Sequence, residues 1–112
     1  MATNATNVSF GVLTRGPVFQ QIRVGVDDSN YTVQALEVIV GMVNVSANRT
    51  IILPTSSAVG RRVIIKDESG SCTASKKIVI NGIIDNASSV ELTNAYAFCE
   101  LYFNGTYWSR VA

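Results

Sequence analysis

The sequence predicts an all-β fold, a single antiparallel β-sandwich of jelly-roll-like or related type, preceded by a flexible N-terminal arm. Three observations carry this expectation. Short apolar runs are broken by turn residues every ~8–12 positions, the spacing of a sandwich or barrel rather than of alternating strands and helices. The runs are rich in Val and Ile, whose branched Cβ favours extended backbone. Only residues 31–45 offer even weak helical spacing, at Val33, Leu36 and Val40, and there Val38, Ile39, Val40, Val43, Val45 and the interrupting Gly41 favour a buried strand with a bulge at the glycine.

At 112 residues the chain suits one domain, placed at 8–112, with residues 1–7 as a small polar arm that has no face to bury. Residues 8–13 and 18–26 read as strands around a turn at Arg15-Gly16-Pro17. In the second, Ile22, Val24 and Val26 alternate with Gln21, Arg23 and Gly25, the period of a half-buried strand. Asp27-Asp28-Ser29-Asn30 is a turn, its side chains suited to capping backbone amides. Ile51, Ile52 and Leu53 form a strand ended by Pro54, and Val63, Ile64 and Ile65 another, ended by Lys66-Asp67-Glu68-Ser69-Gly70 with the acids facing water. Each of the two loops is expected to join paired strands. Further strands follow at 76–80 and 90–92, with a turn at Asn81-Gly82 and a brief extended piece at Ile83-Ile84 with Asp85-Asn86.

The last hairpin carries the strongest local signal. Residues 97–103 and 106–111 flank Asn104-Gly105, the preferred pair for a two-residue type I′ turn. That turn sets Phe103 opposite Thr106, Leu101 opposite Trp108 and Cys99 opposite Arg110 on one face. The other face then carries Tyr102 opposite Tyr107, Glu100 opposite Ser109 and Phe98 opposite Val111. With large aromatics on both faces, one is core and the other is a subunit interface (Phe98, Tyr102, Tyr107, Val111) or a ligand platform (Tyr102, Tyr107).

Composition narrows the function. Charged residues make up 15% of the chain, against ~25% in an average soluble domain, while hydrophobic residues reach 47%. So few charges on a small domain point to surface buried against other subunits. The net charge of +1, without a broad basic field, argues against nucleic acid as a partner. No apolar run approaches the ~20 residues of a membrane helix. The N-terminal segment lacks the regions of a secretory signal, so the expectation is a protein kept in the cytosol until something releases it.

Catalytic chemistry has little to work with. The chain has no histidine, which removes the commonest general base and metal ligand. Asp67 and Glu68 do not form a paired-carboxylate arrangement, Asp27-Asp28 lacks the further spaced acids of a calcium loop, and the glycines form no phosphate-cradling motif. Cys72 and Cys99 are too few for a structural zinc site and are expected as free, packed thiols. The expectation is therefore no enzyme, no cofactor and no metal. Seven Asn-x-Ser/Thr sequences, at Asn4, Asn7, Asn30, Asn44, Asn48, Asn86 and Asn104, read as the by-product of Asn, Ser and Thr filling β turns.

One resemblance spans residues 31–108. The order Tyr31-Thr32-Val33, Arg49-Thr50-Ile51-Ile52-Leu53-Pro54, Gly60, Ile64-Ile65-Lys66-Asp67-Glu68-Ser69-Gly70, Ile78-Val79-Ile80, Ile84-Asp85 and Leu101-Tyr102-Phe103-Asn104-Gly105-Thr106-Tyr107-Trp108 resembles a β module recurrent in phage and other viral tail-fibre, head-fibre and capsid-associated proteins. It departs from that pattern at Leu36-Glu37-Val38-Ile39-Val40, where an aspartate-containing strand is usual, and at Ile83-Ile84-Asp85-Asn86, which lacks the glycine that commonly follows the aspartate. The resemblance implies a virion structural protein, a capsid decoration, head-fibre or tail-fibre component assembled in the host cytoplasm. Its implied partners are two further copies in a homotrimer and other capsid or fibre proteins. The alternative is a carbohydrate- or receptor-binding knob that meets a host surface glycan, with Tyr102, Tyr107 and Trp108 as stacking candidates.

Overall fold

The computed structural model describes residues 22–112. The arm at 1–7, the strand expected at 8–13, the turn at Arg15-Gly16-Pro17 and the start of the strand at 18–26 lie outside the described residues. Within them, every regular element is a strand: β1 (Arg23–Asp27), β2 (Tyr31–Thr32), β3 (Ile39–Asn44), β4 (Arg49–Ile52), β5 (Arg62–Asp67), β6 (Ile78–Ile84), β7 (Ala87–Leu92), β8 (Phe98–Phe103) and β9 (Trp108–Arg110). The all-β expectation holds.

The strands alternate between two halves of the molecule. β1, β3 and β5 pair in parallel, with Arg23 beside Ile39 and Ile39 beside Ile64. β2, β4 and β6 form a second parallel ladder, with Tyr31 beside Ile51 and Ile51 beside Ile80. Parallel neighbours need a crossover of about a dozen residues, usually helical; here each crossover contains a strand of the other half. The chain therefore winds, and each turn adds one strand to each ladder.

The C-terminal third closes the winding. β8 pairs antiparallel with β5, β9 pairs antiparallel with β8, and Trp108 of β9 bridges to Ile84 of β6. β7 folds back on β6. The result is one mixed sheet in the order β1-β3-β5-β8-β9-β6-β4-β2, nearly closed and barrel-like. The expected antiparallel jelly-roll sandwich is corrected to this mixed sheet, and the two loops expected to join paired strands are corrected with it. β4 and β5 lie in opposite ladders, as do β5 and β6, so both loops are crossovers.

One core fills the space between the halves. Val40, Met42, Val63, Ile65, Cys99, Leu101 and Phe103 from one side meet Ile51, Ile78, Ile80, Ile84 and Trp108 from the other. β5 shows the alternation clearly, with Val63, Ile65 and Asp67 inward and Arg62, Ile64 and Lys66 outward.

Local expectations are met unevenly. Val24 and Val26 turn toward the core as the alternation predicts, but Ile22 is half exposed. Residues 31–45 divide into β2, a turn at Ala35-Leu36 and β3. The bulge sits not at Gly41 but two residues later, because Val26 faces Met42 while Asp27 faces Asn44 and Val43 is left over. Gly41 instead lies under the Glu68 carboxylate, which a Cβ would strike. The expected turn at Asn81-Gly82 lies inside β6, where a Cβ on Gly82 would press to 3.1 Å of Leu53 Cδ1. The turn lies instead at Asp85-Asn86, expected as extended chain, with Asp85 at φ 52°.

The last hairpin forms with a different turn. Phe103 faces Trp108, Tyr102 faces Ser109 and Leu101 faces Arg110, so the loop is the four residues Asn104, Gly105, Thr106 and Tyr107. The Asn104 side-chain oxygen accepts from the amides of Thr106 (2.9 Å) and Tyr107 (3.0 Å), and that local capping favours the longer loop. The slip is two residues, so Leu101, Phe103 and Trp108 stay inward and Phe98, Glu100 and Tyr102 outward as expected, while Tyr107 leaves the ladder for the loop.

Gly70 has φ 73°, and its added Cβ would fall 2.5 Å from the Tyr96 ring. Gly70→Val is therefore expected to lower the melting temperature through both strain and overlap; an unchanged melt would contradict the left-handed geometry.

Candidate functional site

Three features of the described residues combine unusual chemistry or exposure. The first is Asp67, expected in water and found fully buried at the end of β5. Its Oδ1 accepts from the Ser69 hydroxyl (2.5 Å) and amide (3.1 Å), and its Oδ2 from the amides of Cys72 and Tyr96 (both 3.1 Å). Burial acts to raise the carboxyl pKa, but these donors outweigh it and hold it below the usual carboxylate value. With both oxygens occupied by the chain's own donors, Asp67 is an organiser. It ties the turn after β5 to the turn before β8.

A smaller polar corner works the same way. Asp28, with φ 53°, accepts from the Ser46 hydroxyl (2.6 Å) and amide (2.8 Å) and from Arg49 (3.0 Å). The Ser46 bonds first, then Arg49, bring its pKa down to about 2. Asn30 and Asn48 accept from the amides of Thr50 and Lys77, and Asn44 donates to Asp27. Asn30 and Asn48 stand in turns, as expected, and with Asn44 at the end of β3 they also link successive windings, which the sequence did not indicate.

The second feature is the outer face of β5 and β8. Cross-strand pairs there are Arg62 with Tyr102, Ile64 with Glu100 and Lys66 with Phe98. Phe98 is 47% exposed, Tyr102 36%, Val111 54% and the adjoining Tyr96 59%. Arg62 pairs with Glu100, and Arg23 of β1 pairs with Glu68 beside them. Lys66 Nζ donates to the Tyr96 carbonyl (2.6 Å) and lies 5.5 Å and 6.0 Å from the Tyr96 and Phe98 ring centres.

The third is a groove of about 270 Å³ beside the last hairpin, lined by Leu53, Pro54, Ile83, Thr106, Tyr107 and Trp108, with Thr55, Gly82 and Ser88 completing it. Tyr107 is half-buried and Ile83 is 68% exposed, while Trp108 is buried, its Nε1 donating to the Pro54 carbonyl at 2.9 Å.

The expected site residues therefore divide. Phe98 and Tyr102 stand on the outer face of β8, and Val111 lies just beyond β9, its amide donating to the Glu100 carbonyl at 2.8 Å. Tyr107 belongs to the groove loop. The opposed Tyr102/Tyr107 platform is corrected, since Ser109 occupies the position across from Tyr102. Trp108 is a core residue, packed edge-on against Phe103 at 5.4 Å between ring centres.

Cys72 and Cys99 are free and buried, and burial raises both thiol pKa values, which suits packing more than reactivity. Cys72 Sγ donates to the Leu92 carbonyl at 2.8 Å. Among the described residues no group of three or more His, Cys, Asp or Glu side chains could hold a metal ion, and no helix is long and apolar enough to cross a membrane. Asp67 is the residue that the sequence missed. Its signal was a carboxylate in the inward register of β5, two positions after Ile65. No family model matches the chain, and no curated protein matches it either.

Proposed function

We propose that this chain is a structural subunit of a virion, a capsid-decoration, head-fibre or tail-fibre component that works by self-assembly and by docking on a larger particle. The observation that carries the reading is the outer face of β5 and β8. Phe98, Tyr102 and Val111 leave apolar surface in water on a domain with few charges to spend on solubility. The resemblance over residues 31–108 supports the viral setting and a homotrimer as the assembled form. Functional chemistry resides in packing: the charged side chains of the outer face are tied to each other, and Asp67 to its own turns. Light scattering of the purified protein, with binding to isolated capsid or fibre proteins, tests this. The expected result is an oligomer that binds such a partner; a monomer with no affinity for them overturns it.

The groove favours a second reading, a carbohydrate- or receptor-binding knob of a viral fibre. Tyr107 and Ile83 offer apolar surface beside the hydroxyls of Thr55, Ser88 and Thr106, a combination suited to the apolar face and hydroxyl edge of a sugar ring. A glycan array decides it. Selective binding lost in Tyr107→Ala supports the knob, and an array without selective binding removes it.

A further inference from the structure

We propose that the outer face of β5 and β8 binds a second copy of this chain, making it the surface through which subunits meet. This deepens the assembly reading above and rests on it.

The charges on the face select the partner. Arg62 is already paired with Glu100 and Arg23 with Glu68, and Lys66 is held by the Tyr96 carbonyl over two aromatic rings. An acidic protein or nucleic acid would have to compete for cations that are satisfied, and a basic partner would have to compete for Glu68 and Glu100. Three cations face two carboxylates, so the face carries one excess positive charge, held on Lys66 over the Tyr96 and Phe98 rings, and a matching counterpart is one whose charges are likewise bound within itself. A copy of the same face has that property: Phe98, Tyr102 and Val111 can cover one another while each ion pair stays intact within its own subunit.

Dimensions set the strength. The two strands β5 and β8, ~4.8 Å apart and six residues long at ~3.3 Å each, present roughly 200 Å² of flat area. Stable pairs bury about 800 Å² of accessible surface per partner. Side-chain relief adds to the flat figure, so this face alone supports an association that dilution reverses, and a lasting assembly needs each subunit to touch more than one neighbour.

The test is sedimentation velocity over a wide concentration range on the full chain, together with Phe98→Glu, Tyr102→Glu and Val111→Glu. Phe98 and Tyr102 are exposed in the isolated subunit, so a new carboxylate at either position is hydrated there, whereas in the pair it would be buried against its own copy. Val111 follows β9 and its amide still donates to the Glu100 carbonyl, so Val111→Glu probes the same face from the far side of β8. The expected result is concentration-dependent association of the native chain, weakened at least tenfold in each variant, with melting temperatures close to native. Undiminished association in the three folded variants overturns the assignment of the face while leaving self-assembly standing. A native chain that stays monomeric at every concentration overturns both.

Discussion

Asp67→Ala is expected to lose about 3 kcal/mol or more of stability, because the amides of Cys72 and Tyr96 and the Ser69 donors then lose their acceptor, at ~1–3 kcal/mol for each buried group left unpaired. Against a total of ~5–15 kcal/mol for a domain, that is a large fraction. Asp67→Asn keeps the shape but turns an N–H₂ toward backbone donors, so it recovers only part of the loss. Urea denaturation of the three proteins checks this, and an Asp67→Ala midpoint equal to native would show that the two turns hold without the carboxylate.

The same carboxylate sets an acid limit. The folded pKa of Asp67 lies below its ordinary value, so its contribution is complete above the unfolded value of ~3.9 and is lost as pH falls toward the folded one. Asp28, at about 2, acts in the same direction. The melting temperature should therefore lose this contribution below about pH 4, and Asp67→Ala should flatten that limb.

Trp108→Ala is expected to cost about 3–5 kcal/mol, the range for deleting a large aromatic from a packed core. Trp108 is the joint that closes the sheet. Its backbone carbonyl accepts from the Asp85 amide at 2.7 Å, its strand position bridges to Ile84, and its indole N–H reaches Pro54 at the end of the other ladder. Trp108→Phe refills much of the volume and leaves only the Pro54 carbonyl unpaired, at ~1 kcal/mol. Denaturation midpoints should fall in the order native, Trp108→Phe, Trp108→Ala; a Phe variant as poor as Ala would make the hydrogen bond, not the volume, the larger effect.

Local features were legible in the residues alone. Turn residues and β-branched runs marked nearly all of the strands seen at residues 22–112, Pro54 and Gly70 punctuated them correctly, and the alternation of Val63, Ile64 and Ile65 placed the core face of β5. Phe98, Tyr102 and Val111 were legible as exposed candidates because a two-residue register slip preserves faces. Which strand lies beside which became visible in the folded chain. Alternation reports the buried face and is silent on the neighbour, so a parallel winding and an antiparallel sandwich read alike, apart from the unbroken runs Val38-Ile39-Val40 and Ile51-Ile52-Leu53 that parallel strands favour. The burial of Asp67 was hidden for the same reason. Its acceptors are filled by Cys72, five residues on, and by Tyr96, twenty-nine residues on, and only the folded chain brings those amides to one carboxylate.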